Sequence, residues 1–381
     1  MPWEVTWPMR EREKLVEAHR TGRCTVAQLA ESFGVSRKTA HKWLSRASSP
    51  GGLADRSRAP HYRPNDTPRA VVAAVLRERL AHPTWGPLKL RPRADDPLEV
   101  VDAWPAPSTR GAILARAGLS QRRRRRRHVP PSSQPFRACD QPNGVWCADF
   151  KGWFRNADGK RCDPLTITDA YSRMLLCCQG LPRPDYAHVR PFFEATFREY
   201  GLPLAIRTDN GPPFASVGAG GLSQLAVWWV KLGIMPERIM PGHPEQNGRH
   251  ERMHRTLKAE CCSPPAANAS LQQERFDAFV HEYNWERPHQ ALDLQPPAAF
   301  YRPSPRPYPV VLEDLAYMPD AAVRRVRSNG EIKWRGGRVF ISEALVGQAV
   351  GILESLLGHE VYFGPILLGR LNAAGERLIR P

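Results

Sequence analysis

The chain has 381 residues, 41% of them hydrophobic, which excludes wholesale disorder and indicates roughly two to four domains. Lysine and arginine total 55 against 38 acidic residues, and the resulting net charge of +17 favours a polyanionic partner. The sequence shows no run of about 18 apolar residues and no apolar signal segment, so we expect neither membrane insertion nor secretion.

The eight cysteines show no C-x-x-C spacing and no pairing with histidines that is typical of a zinc site. Reduced thiols in a cytoplasmic protein are therefore expected.

The N-terminal region predicts three short helices in a helix-turn-helix arrangement. Arg10–His19 is the first helix, Thr25 with Gln28 makes a capping-box pattern for the second, and Ser36 caps the third. A small helical module without a DNA role is the alternative. The basic residues expected to face a DNA major groove are Arg37, Lys38, His41 and Lys42.

Proline-rich and basic segments divide the rest of the chain. A second helical module is expected after Thr67, although Arg91–Trp104 shows no clear period. The six consecutive arginines of Arg122–Arg127 predict a solvated run that becomes ordered on phosphates. The predicted boundaries are a helix-turn-helix domain at 1–47, a linker at 48–66, a second helical DNA-binding module at 67–119, an arginine-rich linker at 120–138, a catalytic core at 139–295, a stiff spacer at 296–309 and a β domain at 310–381.

The central segment predicts an α/β layer, and the last segment predicts a small β-barrel. Three strands, a helix, a strand, a helix, a short strand and further helices follow one another in the core, which is typical of helices packed on a mixed sheet. In the last segment, short strand-like runs separated by turns at Asn329-Gly330 and Gly336-Gly337 predict a barrel of SH3-like size.

Three acidic residues stand out in the core by their positions. Asp149 lies inside an aromatic-rich strand, Asp209 lies where a later strand ends, and Glu251 opens a helix. Oxygen ligands on separate elements suit Mg²⁺ or Mn²⁺ rather than zinc, and two such ions can promote phosphoryl transfer. Individually, these residues could instead be a strand-edge aspartate, a turn aspartate and half of a salt bridge.

Glu251, Arg255 and Lys258 have the i, i+4, i+7 spacing of one helical face. A solvated salt-bridge face would show the same spacing. His250–His254 also matches the H-E-x-x-H pattern of zinc proteases, but that function leaves Asp149 and Asp209 unexplained. A DNA-binding regulator with an inactive core is the other alternative.

Three stretches together resemble the integrase catalytic core of retroviral integrases and bacterial insertion-sequence transposases. They are Trp146–Phe150, Arg207–Gly211 and Gln246–Arg252, and Tyr283–His289 resembles the segment that closes the core in insertion-sequence members. The resemblance implies an RNase H-like fold, two divalent metal ions held by Asp149, Asp209 and Glu251, and cleavage and joining of DNA strands. It also implies that Arg255 and Lys258 contact the element end. Asn210 and His243 are further expected beside the metal ligands.

The expected protein is thus a transposase of a bacterial insertion sequence, a DNA strand-transferase that requires two Mg²⁺ or Mn²⁺ ions. Its N-terminal modules would bind the terminal inverted repeats of double-stranded DNA. The core would hydrolyse a phosphodiester at each element end and join the 3′-hydroxyl to target DNA. Because two ends are joined together, a homo-oligomer, a dimer or a tetramer, is expected on DNA, with no membrane association, in the bacterial cytoplasm near the nucleoid.

Overall fold

A computed structural model of the chain describes residues 7–58, 66–120, 138–240, 248–356 and 358–380. The chain forms two compact units, Met1–Asp66 and Thr67–Pro381. The predicted arginine run Arg122–Arg127 and His243 lie outside the described residues. No helix in the described part of the chain is both long and apolar enough to span a membrane.

The first unit contains the three predicted helices. The capping box predicted for the second helix is present, because the Thr25 side chain accepts from the backbone N–H of Gln28 while the Gln28 side chain accepts from that of Thr25. Leu15, Ala30 and Ala40 form the small buried core. The helices are α1 (Pro8–Arg20), α2 (Val26–Ser32) and α3 (Arg37–Ala47).

The first residues of the predicted 48–66 linker pack on these helices. The Arg12 guanidinium donates to the carbonyl oxygen of Leu53 and pairs with Asp55, both at 2.8 Å. Gly52 is buried, and a Cβ there would lie 1.7 Å from the backbone oxygen of Arg46, so only glycine fits this approach.

The second unit begins with a helical module, which has a core formed by Val75, Trp85, Leu90, Ile113 and Leu114. A five-residue helix lies within Arg91–Trp104, for which the sequence shows no period. The helices are α4 (Arg69–Ala81), α5 (Leu98–Asp102) and α6 (Pro107–Arg116).

A mixed six-stranded sheet follows. The strands are β1 (Val145–Phe150), β2 (Phe154–Arg155), β3 (Arg161–Asp169), β4 (Leu175–Leu181), β5 (Ala205–Thr208) and β6 (Met235–Arg238). Their order is β2-β3-β1-β5-β6, with β4 paired to β3. The β1–β3 and β3–β4 pairs are antiparallel, as the predicted meander requires, whereas β1–β5 and β5–β6 are parallel. The short strand predicted at Arg238–Met240 lies earlier, because Met235–Arg238 pairs with β5.

Helices pack on this sheet through two separate hydrophobic cores. The helices are α7 (Tyr186–Tyr200), α8 (Gln224–Lys231), α9 (Gly248–Cys261), α10 (Ala269–His281) and the π-helix Glu282–Glu286. One core joins the sheet to α7 and α8 through large aromatic side chains such as Phe193 and Trp229. The other joins it to α9 and α10 through Leu257 and Phe276. The neighbouring strand residues Leu175 and Leu176 belong to different cores, as the alternation of side chains requires.

The proline-rich segment 296–309 lies against the core rather than extending freely. The Arg306 carbonyl accepts from the Leu202 N–H at 2.7 Å, and its guanidinium donates to the carbonyl oxygens of Leu232 and Gly233. Ser304 N–H donates to the Tyr200 carbonyl at 2.8 Å. Backbone hydrogen bonds thus position the start of the last region.

The last region contains a five-stranded antiparallel sheet and a separate hairpin. The strands are β7 (Ala322–Arg325), β8 (Glu331–Trp334), β9 (Gly337–Phe340), β10 (Ala349–Ser355), β11 (Gly358–Phe363), β12 (Ile366–Leu371) and β13 (Leu378–Ile379). The sheet has the order β13-β12-β11-β10-β7, and β8 and β9 form the hairpin. Apolar residues of this region, including Ile332, Val350 and Val361, extend the core of α7 and α8. Closure into the predicted barrel stays a prediction.

Candidate active site

Asp149 and Asp209 lie on or just after two adjacent parallel strands. Cys147 of β1 pairs with Arg207 of β5, and each aspartate comes two residues after its paired residue. Since parallel strands keep their register and side chains alternate with a period of two, both aspartates reach the same end of the sheet on the same face. Two carboxylates predicted from separate motifs therefore come together.

Glu251 brings a third carboxylate from the first turn of α9, where it is exposed. Burial, together with the negative charges of Asp209 and Glu251, raises the pKa of Asp149 to about 7. The Phe150 N–H donates to Asp149 Oδ1 at 2.7 Å and opposes part of this shift. Mutual repulsion among three carboxylates indicates a site that a cation would stabilise.

The two histidines beside Glu251 point into the protein. Nε2 of His250 and Nε2 of His254 each lie 2.7 Å from Thr166 Oγ1, and Nδ1 of His250 lies 2.9 Å from Thr168 Oγ1. Burial lowers the pKa of His250 to about 3 and that of His254 to about 2, so both imidazoles are neutral.

This orientation disfavours the zinc-protease alternative. Both nitrogens of His250 contact threonine hydroxyls, and Glu251 lies on the exposed side of α9. His254 instead faces Asp149, and potential ligand atoms of Asp149, His250 and His254 lie within 4.8 Å of one another. This contact was not predicted from the sequence. The signal for it is the i, i+4 histidine spacing opposite the alternating Thr166 and Thr168.

The other predicted residues have distinct positions. Arg255 and Lys258 are exposed on α9, as the predicted stripe requires. The Asn210 side-chain N–H donates to the carbonyl oxygen of Ile239 at 2.6 Å, so it ties the loop after β5 to the segment after β6. In the first unit, the predicted basic face is exposed on α3 and comprises Arg37, Lys38, His41 and Lys42.

Asp169, a buried acid that was not assigned to the site, is structural. Its carboxylate accepts from the N–H of Asn143 at 2.8 Å and from the N–H and hydroxyl of Ser172 at 2.7 and 2.6 Å. These bonds close the turn between β3 and β4.

Two family models match the sequence that builds this site. Both are described as "Integrase core domain", and they match residues 140–244 and 232–297. Together the two matches span residues 140–297, so this region is similar to integrase core domains. The mixed sheet lies in this matched region, and the predicted α/β layer of helices on a mixed sheet is confirmed.

Two proteins of bacterial insertion elements are similar in sequence to part of this chain. A 31.7 kDa protein of insertion element IS407 from Burkholderia multivorans is 28% identical over 190 residues, and a 39.2 kDa protein of IS476 from Xanthomonas euvesicatoria is 30% identical over 190 residues. Each match covers 49% of this chain, and the matches span 66% and 53% of the two relatives.

Two solved structures are similar at low identity. The catalytic core domain of HTLV-2 integrase in complex with magnesium is 15% identical, with a TM-score of 0.34. The match covers 42% of this chain and 98% of the HTLV-2 chain. A chain of the simian T-cell lymphotropic virus intasome in complex with a PP2A regulatory subunit is also 15% identical, with a TM-score of 0.38. The match covers 81% of this chain and 99% of the intasome chain.

Proposed function

We propose that the chain is a transposase of a bacterial insertion sequence and that Asp149, Asp209 and Glu251 are its catalytic residues. The observation that carries the proposal is the register of β1 with β5, which aligns the two aspartates next to the charge of Glu251. The integrase core and the insertion-element relatives support the same function.

The donor set fits hard divalent cations. Three carboxylates, one of them with a pKa raised by burial and by its charged neighbours, would hold Mg²⁺ or Mn²⁺, two ions per site. Bound there, such ions supply Lewis-acid stabilisation of the charge that develops on phosphate oxygens. The chain's own part is to hold the three carboxylates on a rigid sheet and helix, so that their spacing is set before DNA arrives.

The proposed reaction has two balanced steps. Water attacks a phosphodiester at the element end, the P–O3′ bond breaks, and a free 3′-hydroxyl is released. That hydroxyl then attacks a target phosphodiester, forming one P–O bond and breaking another without a covalent protein intermediate. Asn210 would support the loop beside the carboxylates, while His243, which lies outside the described residues, stays a prediction.

DNA would be bound by several parts of the chain. Arg255 and Lys258 extend from the Glu251 face of α9 and would grip the element end. The exposed basic face of α3 would read the terminal inverted repeats as a helix-turn-helix, and the last region would act as a small SH3-like barrel. Joining two ends requires a dimer or tetramer on DNA. These activities belong to the bacterial cytoplasm.

A strand-transfer assay tests this proposal. Wild-type protein, Glu251→Gln and the control Glu274→Gln are incubated with the flanking DNA ends, target DNA and Mg²⁺. Glu274 is exposed on α10, so its variant should match the wild type. We expect Glu251→Gln to lose joining by about 100-fold or more while DNA binding survives.

Equal product from the wild type and Glu251→Gln would end the proposal. If the wild-type protein binds the ends but none of the three proteins forms product, the chain is a DNA-binding regulator with an inactive core.

A further inference from the structure

The basic face that Arg255 and Lys258 form on α9 continues around the helix through Arg252 and Arg249, because Arg249, Arg252 and Arg255 follow one another at three-residue spacing. Arg252 follows Glu251 by one residue and so lies about 100° around the helix, and Arg249 falls on the same side. The Arg249 guanidinium donates to the carbonyl oxygen of Ala170 at 2.9 Å. This side of α9 therefore faces the turn between β3 and β4.

That turn supplies a third cation. Arg173 has a φ of 69°, a left-handed backbone conformation that residues other than glycine rarely adopt. Burial lowers the pKa of its guanidinium, and the charges of Arg249 and Arg252 lower it further. Its buried Nε has no hydrogen-bond partner among the described residues. A guanidinium held this way has donor capacity that the described fold does not use.

The helical module supplies a fourth cation. Lys89 is partly buried, and burial lowers its pKa to about 8, with further contributions from the positive charges of Arg287 and Arg252. Within the described ranges, no carboxylate lies within ion-pair distance of Lys89. Arg287, by contrast, pairs with Glu260 at 2.8 Å and lies 3.9 Å from Glu282.

Lys89, Arg173, Arg249 and Arg252, here named the seam cluster, thus come from three elements without forming an ion pair in the described part of the chain. Lys89 and Arg173 are partly buried, whereas Arg249 and Arg252 are exposed, and like charges grouped in this way repel one another. An anion with several charges at regular spacing would remove this repulsion. A duplex that reaches Glu251 also passes next to Arg252, one residue along the same helix.

We propose that the seam cluster binds consecutive backbone phosphates of duplex DNA. The inference rests on the proposed function, because it takes DNA as the partner. It extends the DNA path from Arg255 and Lys258 around α9 through Arg252 and Arg249, and continues it to the helical module through Lys89. Because the contacts are to phosphates, they would act on any sequence.

The test uses the full-length protein in EDTA, which prevents chemistry, with a fluorescent duplex that carries an element end. Binding is measured by anisotropy over a KCl series for the wild type, for Lys89→Gln with Arg252→Gln, and for the control pair Lys160→Gln with Arg183→Gln. The control residues are exposed on other elements. Each lost phosphate contact reduces the slope of log K against log[salt] by about 0.9, so we expect a reduction near 2 for the cluster pair alone.

The same reduction should occur on a duplex without the element end, and Lys89→Arg with Arg252→Lys should restore the wild-type slope. Retention of the wild-type slope by the cluster pair overturns the inference, as does an equal reduction in the control pair. A change from dimer to monomer in sedimentation with an unchanged slope also overturns it, in favour of contact with a second copy. If the wild type binds no duplex at all, the proposed function fails as well, which distinguishes the two failures.

Discussion

His254 Nδ1 lies 3.9 Å from Asp149 Oδ2. The same imidazole contacts the Thr166 hydroxyl through Nε2, and that hydroxyl lies 3.1 Å from the Asp149 carbonyl oxygen. A hydroxyl has one proton and two acceptor lone pairs. One arrangement satisfies every contact: Thr166 donates to the carbonyl and accepts from both Nε2–H groups, which leaves a lone pair on His254 Nδ1 toward Asp149. Thr166 is thus the centre of a network that joins the Asp149 backbone to both histidines.

Thr166→Val should destabilise the protein, because it removes the hydroxyl that both His250 and His254 contact while keeping the side-chain shape. Leaving buried donors unsatisfied costs about 1–3 kcal/mol, which urea unfolding followed by tryptophan fluorescence would measure. Thr256→Val is the control, since the Thr256 hydroxyl only donates to the Arg252 carbonyl on the same helix at 3.3 Å. Equal midpoints for the two variants would contradict the network.

Asp149→Asn should stabilise the metal-free protein at pH 8. The pKa of Asp149 is about 7 when folded, above its usual value of 3.8, so between these values the folded state holds a proton that the unfolded state lacks. The stability linked to this proton is complete below pH 4 and is lost as pH rises through 7.

The asparagine has no proton to lose and stays neutral at every pH, and its oxygen can still accept from the Phe150 N–H. Thermal unfolding in EDTA should therefore show the variant more stable than the wild type by about 1–3 kcal/mol at pH 8, with the difference shrinking toward pH 4. A difference in the free energy of unfolding that does not depend on pH would show that the charge of Asp149 does not destabilise the folded protein.

Mg²⁺ binding should strengthen with pH over the same range. A cation at the three carboxylates displaces the proton of Asp149, so below pH 7 the apparent affinity should rise about tenfold per pH unit and then level off. Calorimetry at pH 6 and pH 8, in buffers of different ionisation enthalpy, measures both the affinity and the released proton. Asp149→Asn is the control and should bind weakly without proton release. Equal wild-type affinity at both pH values would refute the linkage.

The features that sequence predicted well are local ones. The capping box at Thr25 and the α9 face of Glu251 follow from spacings of three and four residues, which helical geometry dictates directly. The contact of His254 with Thr166, 88 residues apart, depends instead on how β3 pairs with β1 and how α9 packs on the sheet. No local pattern carries that information, and the same holds for Lys89, whose surroundings come from distant elements.

Arg287 lies at the junction between the helical module and the core. The Arg287 side chain is 5% exposed and donates to Glu260 at 2.8 Å and to the hydroxyl of Thr84 at 3.1 Å, and Thr84 also contacts Glu260 directly. Removing one member of a buried pair leaves the other charge uncompensated, so Arg287→Ala should cost about 3 kcal/mol in urea unfolding.

The exposed Arg275 is the matched control, because its guanidinium donates to the Pro264 carbonyl at 2.9 Å. Arg275→Ala should change the free energy of unfolding by less than about 0.5–1 kcal/mol. Adding Glu260→Gln to Arg287→Ala should recover part of the lost stability, since the stranded carboxylate is then neutral. Limited proteolysis should also cut residues 67–119 faster in Arg287→Ala than in Arg275→Ala. Equal midpoints and equal cleavage rates would show that the module is held to the core by other contacts.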